Sequence, residues 1–476
     1  MDTLSSLPEA EAAPLVADLL VKQAWVVTMD DEQRIYCNGA LAIAGDRIVA
    51  VGPSGEVERA VSAREVIDGR DRFVVTPGFV NGHVHITGEP ITRGCVPDDT
   101  DWQTNVFDWL IPIYLAQTPA EEAVSATLAA LEMLRTGTTC FVEAGTILDL
   151  DRVAEALTAT GIRGRVGQWV QDRAFAPGED QAALTKAAVA KIGAQLARYP
   201  AAGDPLIAAC PALVGHNTAT DELWREAAAL AQESGTCVTA HMSADPADPE
   251  YYLAETGRRP IAHLAELDVL GSHIALTHAI HLDGEEVDLL AATGTTITHC
   301  PMTAMKGAYG ATAVGRFPEM AARGVNIQLG TDGNNNGNAA DMMRAMFATA
   351  GLFKDVRRDA SLFPATSVLE MATVNGARGA RLAHCIGSLK PGKKADFVLH
   401  DRNRPEWRPL LNVLNQLVYS ADGRGVHSVW VDGRRVVDNY HSTLIDEERL
   451  YAEVEAAGPA LLARAGKAVP CSWPLI

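Results

Sequence analysis

Pro77-Gly-Phe-Val-Asn-Gly-His-Val-His85 reads as a short apolar strand, opened by a Pro-Gly turn and ending in two histidines at i and i+2. Alternate strand residues point to the same side. His83 and His85 can therefore converge on one ion while Val84 packs the other way. Two histidines fall at this spacing by chance in many chains, so the pattern gains meaning only from the sequence around it.

Downstream, β-like runs alternate with longer amphipathic or Ala-rich ones. The runs that read as strands are 79–85, 138–145, 165–170, 206–214, 237–243, 274–280, 295–301 and 325–332. Helical stretches fill the gaps at 119–136, 182–198, 221–234, 284–293 and 318–323. Eight strands alternating with helices predict a parallel sheet closed into a (β/α)8 TIM-type barrel. The competing arrangement, an open doubly wound sheet, lacks its usual Gly-x-Gly-x-x-Gly turn. Residues 15–76 and 386–440 have a different texture of short β-rich runs, punctuated in the first by Asn38-Gly39, Gly45-Asp46, Gly52-Pro53 and Asp68-Gly69. Each is short for a domain, so the two are expected to pair as one small β-sandwich flanking a barrel over 77–385. Residues 441–476 are expected as a helical tail, with the helix over Asp446–Ala465.

Composition narrows the partners. The chain has 476 residues, 47% hydrophobic and 21% charged, with a net charge of -20. That acidity argues against a nucleic-acid groove or an anionic membrane surface and suits a small neutral or cationic substrate. The eight cysteines (37, 95, 140, 210, 237, 300, 385, 471) form no Cys-x-x-Cys pair and fit free thiols in a reducing compartment. The acidic leader Met1–Asp18 lacks a secretory pattern, and no run is long enough for a membrane span. A cytoplasmic protein is the expectation.

A barrel of this type builds its site at the C-terminal ends of its strands. His83 and His85 end the first run, His241 the fifth, His278 the sixth and Asp332 the eighth, within Leu329-Gly-Thr-Asp-Gly333. Neutral imidazoles with one carboxylate suit zinc or ferrous iron, with cobalt also possible, and leave a position for water. In such a centre Asp332 can act as general base and His278 can polarise the oxygen or leaving group on the carbon under attack.

These residues, in order, resemble the amidohydrolase superfamily, in the branch of S-adenosylhomocysteine and guanine deaminases and the triazine hydrolases. The resemblance is carried by Pro77–His85, Asp108-Trp-Leu-Ile-Pro112, Thr138-Thr139, His241-Met242, Thr277-His-Ala-Ile-His-Leu282, His299-Cys-Pro301 and Gly330-Thr-Asp-Gly333. Met371-Ala-Thr-Val-Asn-Gly-Ala377 and Ile386–Asp396 resemble the family's link back to the sandwich. It implies that His83, His85, His241 and Asp332 bind one divalent metal, with His278 beside it facing substrate. It also implies a homo-oligomer, a dimer or larger.

Two positions depart from that pattern. The related deaminases and triazine hydrolases carry His-x-x-Glu at the fifth strand, and the Glu passes a proton to a ring nitrogen; here the position is Ala244, in His241-Met-Ser-Ala-Asp245. The pattern His-Cys-Pro-x-Ser-Asn at the seventh reads His299-Cys-Pro-Met-Thr-Ala304 and loses its amide. Attack on a heteroaromatic ring carbon needs the ring nitrogen protonated, whereas attack on a carbonyl puts charge on oxygen, where metal and imidazole can stabilise it. The expectation is hydrolysis of a small neutral amide, urea or (thio)carbamate, as in the related phenylurea and molinate hydrolases. The alternatives are a deaminase or dechlorinase of a triazine, purine or pyrimidine, with Asp245, Glu143 or His216 supplying the proton path, and an inactive scaffold. His299, His281, Trp102, Trp109, Glu143 and His216 are the candidate substrate contacts, and Asn334–Gly337 reads as a tight polar loop.

Overall fold

The computed structural model describes residues 14–471 and Trp473; most of the acidic leader lies outside the described residues. All eight expected barrel strands are present. They are Phe79–Val84, Thr138–Glu143, Arg163–Val166 with Trp169–Val170, Ile207–Ala209 with Ala212–Gly215, Val238–Met242, Ile274–His278, Thr296–His299 and Ile327–Leu329. Every pairing between neighbours is parallel. The eighth strand returns to the first, where Asp332 N donates to His83 O at 2.9 Å and Thr331 N to Asn81 Oδ1 at 3.0 Å. The third and fourth strands are each broken once. Pro211 has no N–H to give to a ladder, and a Cβ at Gly167 would meet Cys210 O at 2.5 Å.

The helices expected between these strands form at Pro119–Arg135, Gln181–Arg198, Asp221–Glu233, Gly284–Thr293 and Phe317–Ala322. Their starts are legible in side chains: Thr118 with Glu121, and Asp283 with Glu286, are capping boxes that satisfy otherwise orphaned N–H groups.

Both chain ends contribute to the small β-sandwich, whose strands are hydrogen-bonded as one nine-stranded sheet. The joint is antiparallel pairing of Phe73–Pro77 with Phe397–Asp401. Leu41, Ile43, Val75, Phe397, Leu399 and Trp430 bury one face together. The helix Ser54–Ala60 replaces what reads as a turn after Gly52-Pro53, because Val57 has a buried site to fill. Sandwich and barrel are locked by Arg163, whose buried guanidinium meets Asp396 at 3.1 and 3.2 Å and Asp432 at 3.1 Å. The tail helix, Glu447–Arg464, lays Leu461 against Ile91, Leu110 and Ile113.

Candidate metal centre

His83, His85, His241, His278 and Asp332 converge at the C-terminal mouth of the barrel. His83, His241 and His278 each present a ring nitrogen within 4.8 Å of the others, and the ring nitrogens of His83 and His85 lie within the same distance of each other and of an Asp332 carboxylate oxygen. Asp332 Oδ1 lies 3.6 Å from His83 Nε2 and 3.2 Å from His85 Nε2, and Oδ2 lies 3.9 Å from His278 Nε2.

Neighbouring groups aim the rings. His83 Nδ1 is 3.0 Å from Thr277 Oγ1, which turns Nε2 to the centre. His241 Nδ1 is 2.9 Å from Val214 O, with the same effect. A Cβ at Gly215, where φ is +84°, would fall 2.0 Å from His241 O, so only glycine lets the fourth strand approach so closely. Burial holds His83 below its ordinary pKa and His278 down to about 3; burial with the surrounding imidazoles holds His241 well below. Burial pushes Asp332 upward, but the His83 and His85 rings beside it outweigh that and hold its carboxyl well below the ordinary range. A divalent metal requires neutral imidazoles beside a carboxylate, the state in which burial holds His83, His241 and His278; at His85 burial also lowers the pKa, but Asp332, Glu89 and Glu143 outweigh it and raise it. The buried Nε2 of His83 has no hydrogen-bond partner among the described residues, which is the mark of a ligand atom. The donor set fits one divalent ion, and His278 stands within its circle as well as beside it.

The other expected residues divide. His216 is at the mouth, its ring stacked on His241 at 5.8 Å and 5.9 Å from Trp102. His281 is half-buried, with N donating to Ser243 O. His299 is wedged between Phe317 and Phe353, at 4.3 and 5.4 Å, so aromatic packing holds it; its Nε2 is buried without a partner. Glu143 is not free for substrate. Burial pushes its pKa up to about 7, and its oxygens accept from Gly145 N, Thr146 N and Thr146 Oγ1 at 2.5, 3.0 and 2.8 Å. Trp109 is half-buried. It sits on the widened turn Thr104–Leu110, packs with the cluster under the tail helix and carries Lys467 Nζ 5.4 Å over its ring. The run Asn334–Gly337 is a tight loop as expected, but Asn335 N also donates to Glu89 at 2.7 Å.

Several residues at the site went unnoticed in the sequence. Glu89, four residues past His85, is buried and also accepts from Tyr114 Oη. Trp169 lies 6.0 Å from His85, and its buried Nε1 has no partner. Tyr309 lies 5.9 Å from His278. Asp248 pairs with His216. Only Trp169, at a strand end, carried a positional signal.

Residues 74–436 match the family described as "Amidohydrolase family". A 5-methylthioadenosine/S-adenosylhomocysteine deaminase of Syntrophobacter fumaroxidans is 32% identical over 426 residues, 89% of this chain and 93% of that protein. A 5'-deoxyadenosine deaminase of Methanosarcina mazei is 31% identical over 459 residues, 94% and 99% of the two chains. Among solved structures, an adenosine deaminase from Xanthomonas campestris with bound zinc superposes with a TM-score of 0.84 at 28% identity, covering 95% of this chain and 100% of that one. An atrazine chlorohydrolase from Arthrobacter aurescens, complexed with zinc, also gives 0.84, at 21% identity, over 93% and 100% of the chains, a likeness of fold.

Proposed function

This chain belongs to the amidohydrolase family, and from that premise we propose that it hydrolyses the acyl carbon–nitrogen bond of a small neutral amide, urea or (thio)carbamate. The chain is a metal-dependent hydrolase of carbon–nitrogen bonds other than peptide bonds. Zinc is the ion we assign, because the adenosine deaminase relative holds it; iron(II) or cobalt(II) would suit the same donors.

A divalent ion on His83, His85, His241 and Asp332 would lower the pKa of a water toward about 7 and polarise the substrate oxygen. Asp332, ionised and 3.9 Å from His278, takes the proton of the attacking water. His278, neutral at working pH, donates a hydrogen bond to the oxygen on which charge develops. The proton on Asp332 then passes to the departing amine, so the pair of residues returns to its starting state.

The observation that carries this reading is Ala244. Its methyl, 4% exposed, stands where the related deaminases place the proton-shuttling carboxylate. Asp245 Oδ1 is engaged in capping Ala247 N at 2.9 Å. Glu89 and Glu143 are buried and hydrogen-bonded within the protein. The mouth is therefore rich in neutral aromatic groups, Trp169, Tyr309 and Trp102 among them, which suits N-aryl ureas and thiocarbamates of the phenylurea and molinate kind.

The second reading is an aminohydrolase of an N-heteroaromatic base. The names of the relatives favour it over the first, since the curated proteins named above are deaminases of adenosine derivatives. The His216–Asp248 pair beside His241 gives it a proton path. An inactive scaffold does not fit a complete donor set in a chain with hydrolytic relatives. Metal-loaded protein incubated with phenylureas, thiocarbamates, anilides, aminotriazines and purines decides between the two by product mass. Amine released from a carbonyl compound supports the first reading; exchange of amino for oxo on a ring replaces it with the second.

We also propose a small-molecule substrate as its only class of ligand besides the metal, self-association as a dimer or larger, and a cytoplasmic location. The net charge of -20 supports the exclusion of nucleic acid. No helix of the described residues is long and apolar enough to cross a membrane. Light scattering on the purified chain tests the oligomer.

A further inference from the structure

The loop after the seventh strand brings a phenol to the centre. Past the short helix Pro301–Lys306 the chain doubles back, with Ala308 at φ +53° and Tyr309 N donating to Ala304 O at 3.0 Å. A Cβ on Gly307 would lie 2.4 Å from the Tyr309 ring, so glycine lets that ring lie down on its own loop. There it stands edge-on to His278, centroids 5.9 Å apart at 78°.

Its hydroxyl contrasts with those of the other tyrosines around the mouth. Tyr114 donates to Glu89, and Tyr252 to His216 O at 2.9 Å. Tyr309 is partly buried against the core, and its hydroxyl has no protein partner among the described residues. A phenol carries its proton at neutral pH and is a donor, and with no protein acceptor this one is free to bond a ligand beside His278.

We propose that the Tyr309 hydroxyl contacts substrate, donating a hydrogen bond to the oxygen on the carbon under attack, beside His278, and so supplies the polar contact that the seventh strand lacks at Ala304. This rests on the acyl-hydrolase reading. The phenol and His278 together would face the developing oxyanion, and a substrate without a good acceptor there would leave the phenol unpaired, which sets specificity as well as rate.

The test is Tyr309→Phe assayed on an N-alkyl phenylurea and on the matching thiourea, whose sulfur is a weaker acceptor. The expected result is a fall of about 100-fold in kcat on the urea, with a much smaller fall on the thiourea, unchanged zinc per chain and an unchanged melting temperature. Equal effects on both compounds, or no effect on either, overturn the contact. Loss of zinc or of thermal stability in Tyr309→Phe also overturns it, because the phenol is then structural. Should the wild type instead act only on heteroaromatic amines, the acyl reading falls on that result alone. The same variant measured on the ring substrate still decides Tyr309, where a loss of about tenfold keeps a substrate contact and unchanged kcat/KM removes it.

Discussion

His216 Nδ1 lies 2.5 Å from Asp248 Oδ2, joining the end of the fourth barrel strand to the helix Ala247–Thr256. The pairing fixes which face of the imidazole looks into the mouth, because His216 also stacks on His241 with the planes 15° apart. His216 N donates to His241 O at 3.0 Å, so the backbone of one histidine carries the other.

Asp248→Ala should free that ring. Removing the carboxylate leaves a largely buried imidazole nitrogen unpaired, at a cost of about 1–3 kcal/mol, and should lower kcat/KM by roughly 10- to 100-fold. Denaturant unfolding and steady-state kinetics read the two effects separately, with Asp248→Asn expected between the variant and the wild type.

Chelation should abolish turnover and lower the melting temperature, since the ion stabilises only the folded donor set. Added zinc should restore both. Asp332→Asn should reduce bound metal and cut kcat by about 10²- to 10⁴-fold as the base is lost; metal analysis by mass spectrometry with parallel assays checks it.

Ala244→Glu separates the two readings. For an acyl hydrolase, a carboxylate forced into a position with 4% exposure should slow urea hydrolysis and raise KM. A gain of ring deamination instead would show that the position had been waiting for its acid.

Gly215→Ala should cost the centre its metal before it costs the fold. A Cβ there meets His241 O at 2.0 Å on a backbone with φ +84°, so His241 must move. Zinc affinity should fall by at least about tenfold, measured by competition with a chromogenic chelator.

His400 makes the seam between barrel and sandwich acid-sensitive. It is buried 3.0 Å from Thr76 Oγ1, and burial pushes its pKa from 6.5 down to about 3. Above pH 6.5 both folded and unfolded chains hold it neutral, so it contributes no pH dependence there. As pH falls from 6.5 toward 3 the unfolded chain takes up a proton that the folded one refuses, and stability drops. Urea midpoints across that range should decline less steeply in His400→Gln.

The barrel was legible because its strands are apolar runs with fixed alternation, and the candidate metal donors because they cluster at strand ends. His83, His85, His241, His278 and Asp332 all obey that rule. Trp109 does not, because the widened turn that holds it is decided by the tail helix, more than a domain away in sequence. Glu143 sits at a strand end but is captured by the N–H groups of its own loop, a contest between backbone and substrate that residue spacing does not encode. Tyr309 and Asp248 reach the mouth through a left-handed residue and a helix start, and neither leaves a periodic trace.

Phe73–Pro77 is one glycine away from the strand that carries His83 and His85, and it lies between Leu15–Val27 on one side and Phe397–Asp401 on the other. The second of those neighbours leaves the ribosome only after the whole barrel. A nascent or truncated chain therefore has both histidines, with Phe73–Pro77 held on its Leu15–Val27 side alone. The donor set is complete in sequence only with Asp332, at the end of the barrel, and its frame only with the seam strand Phe397–Asp401 that follows.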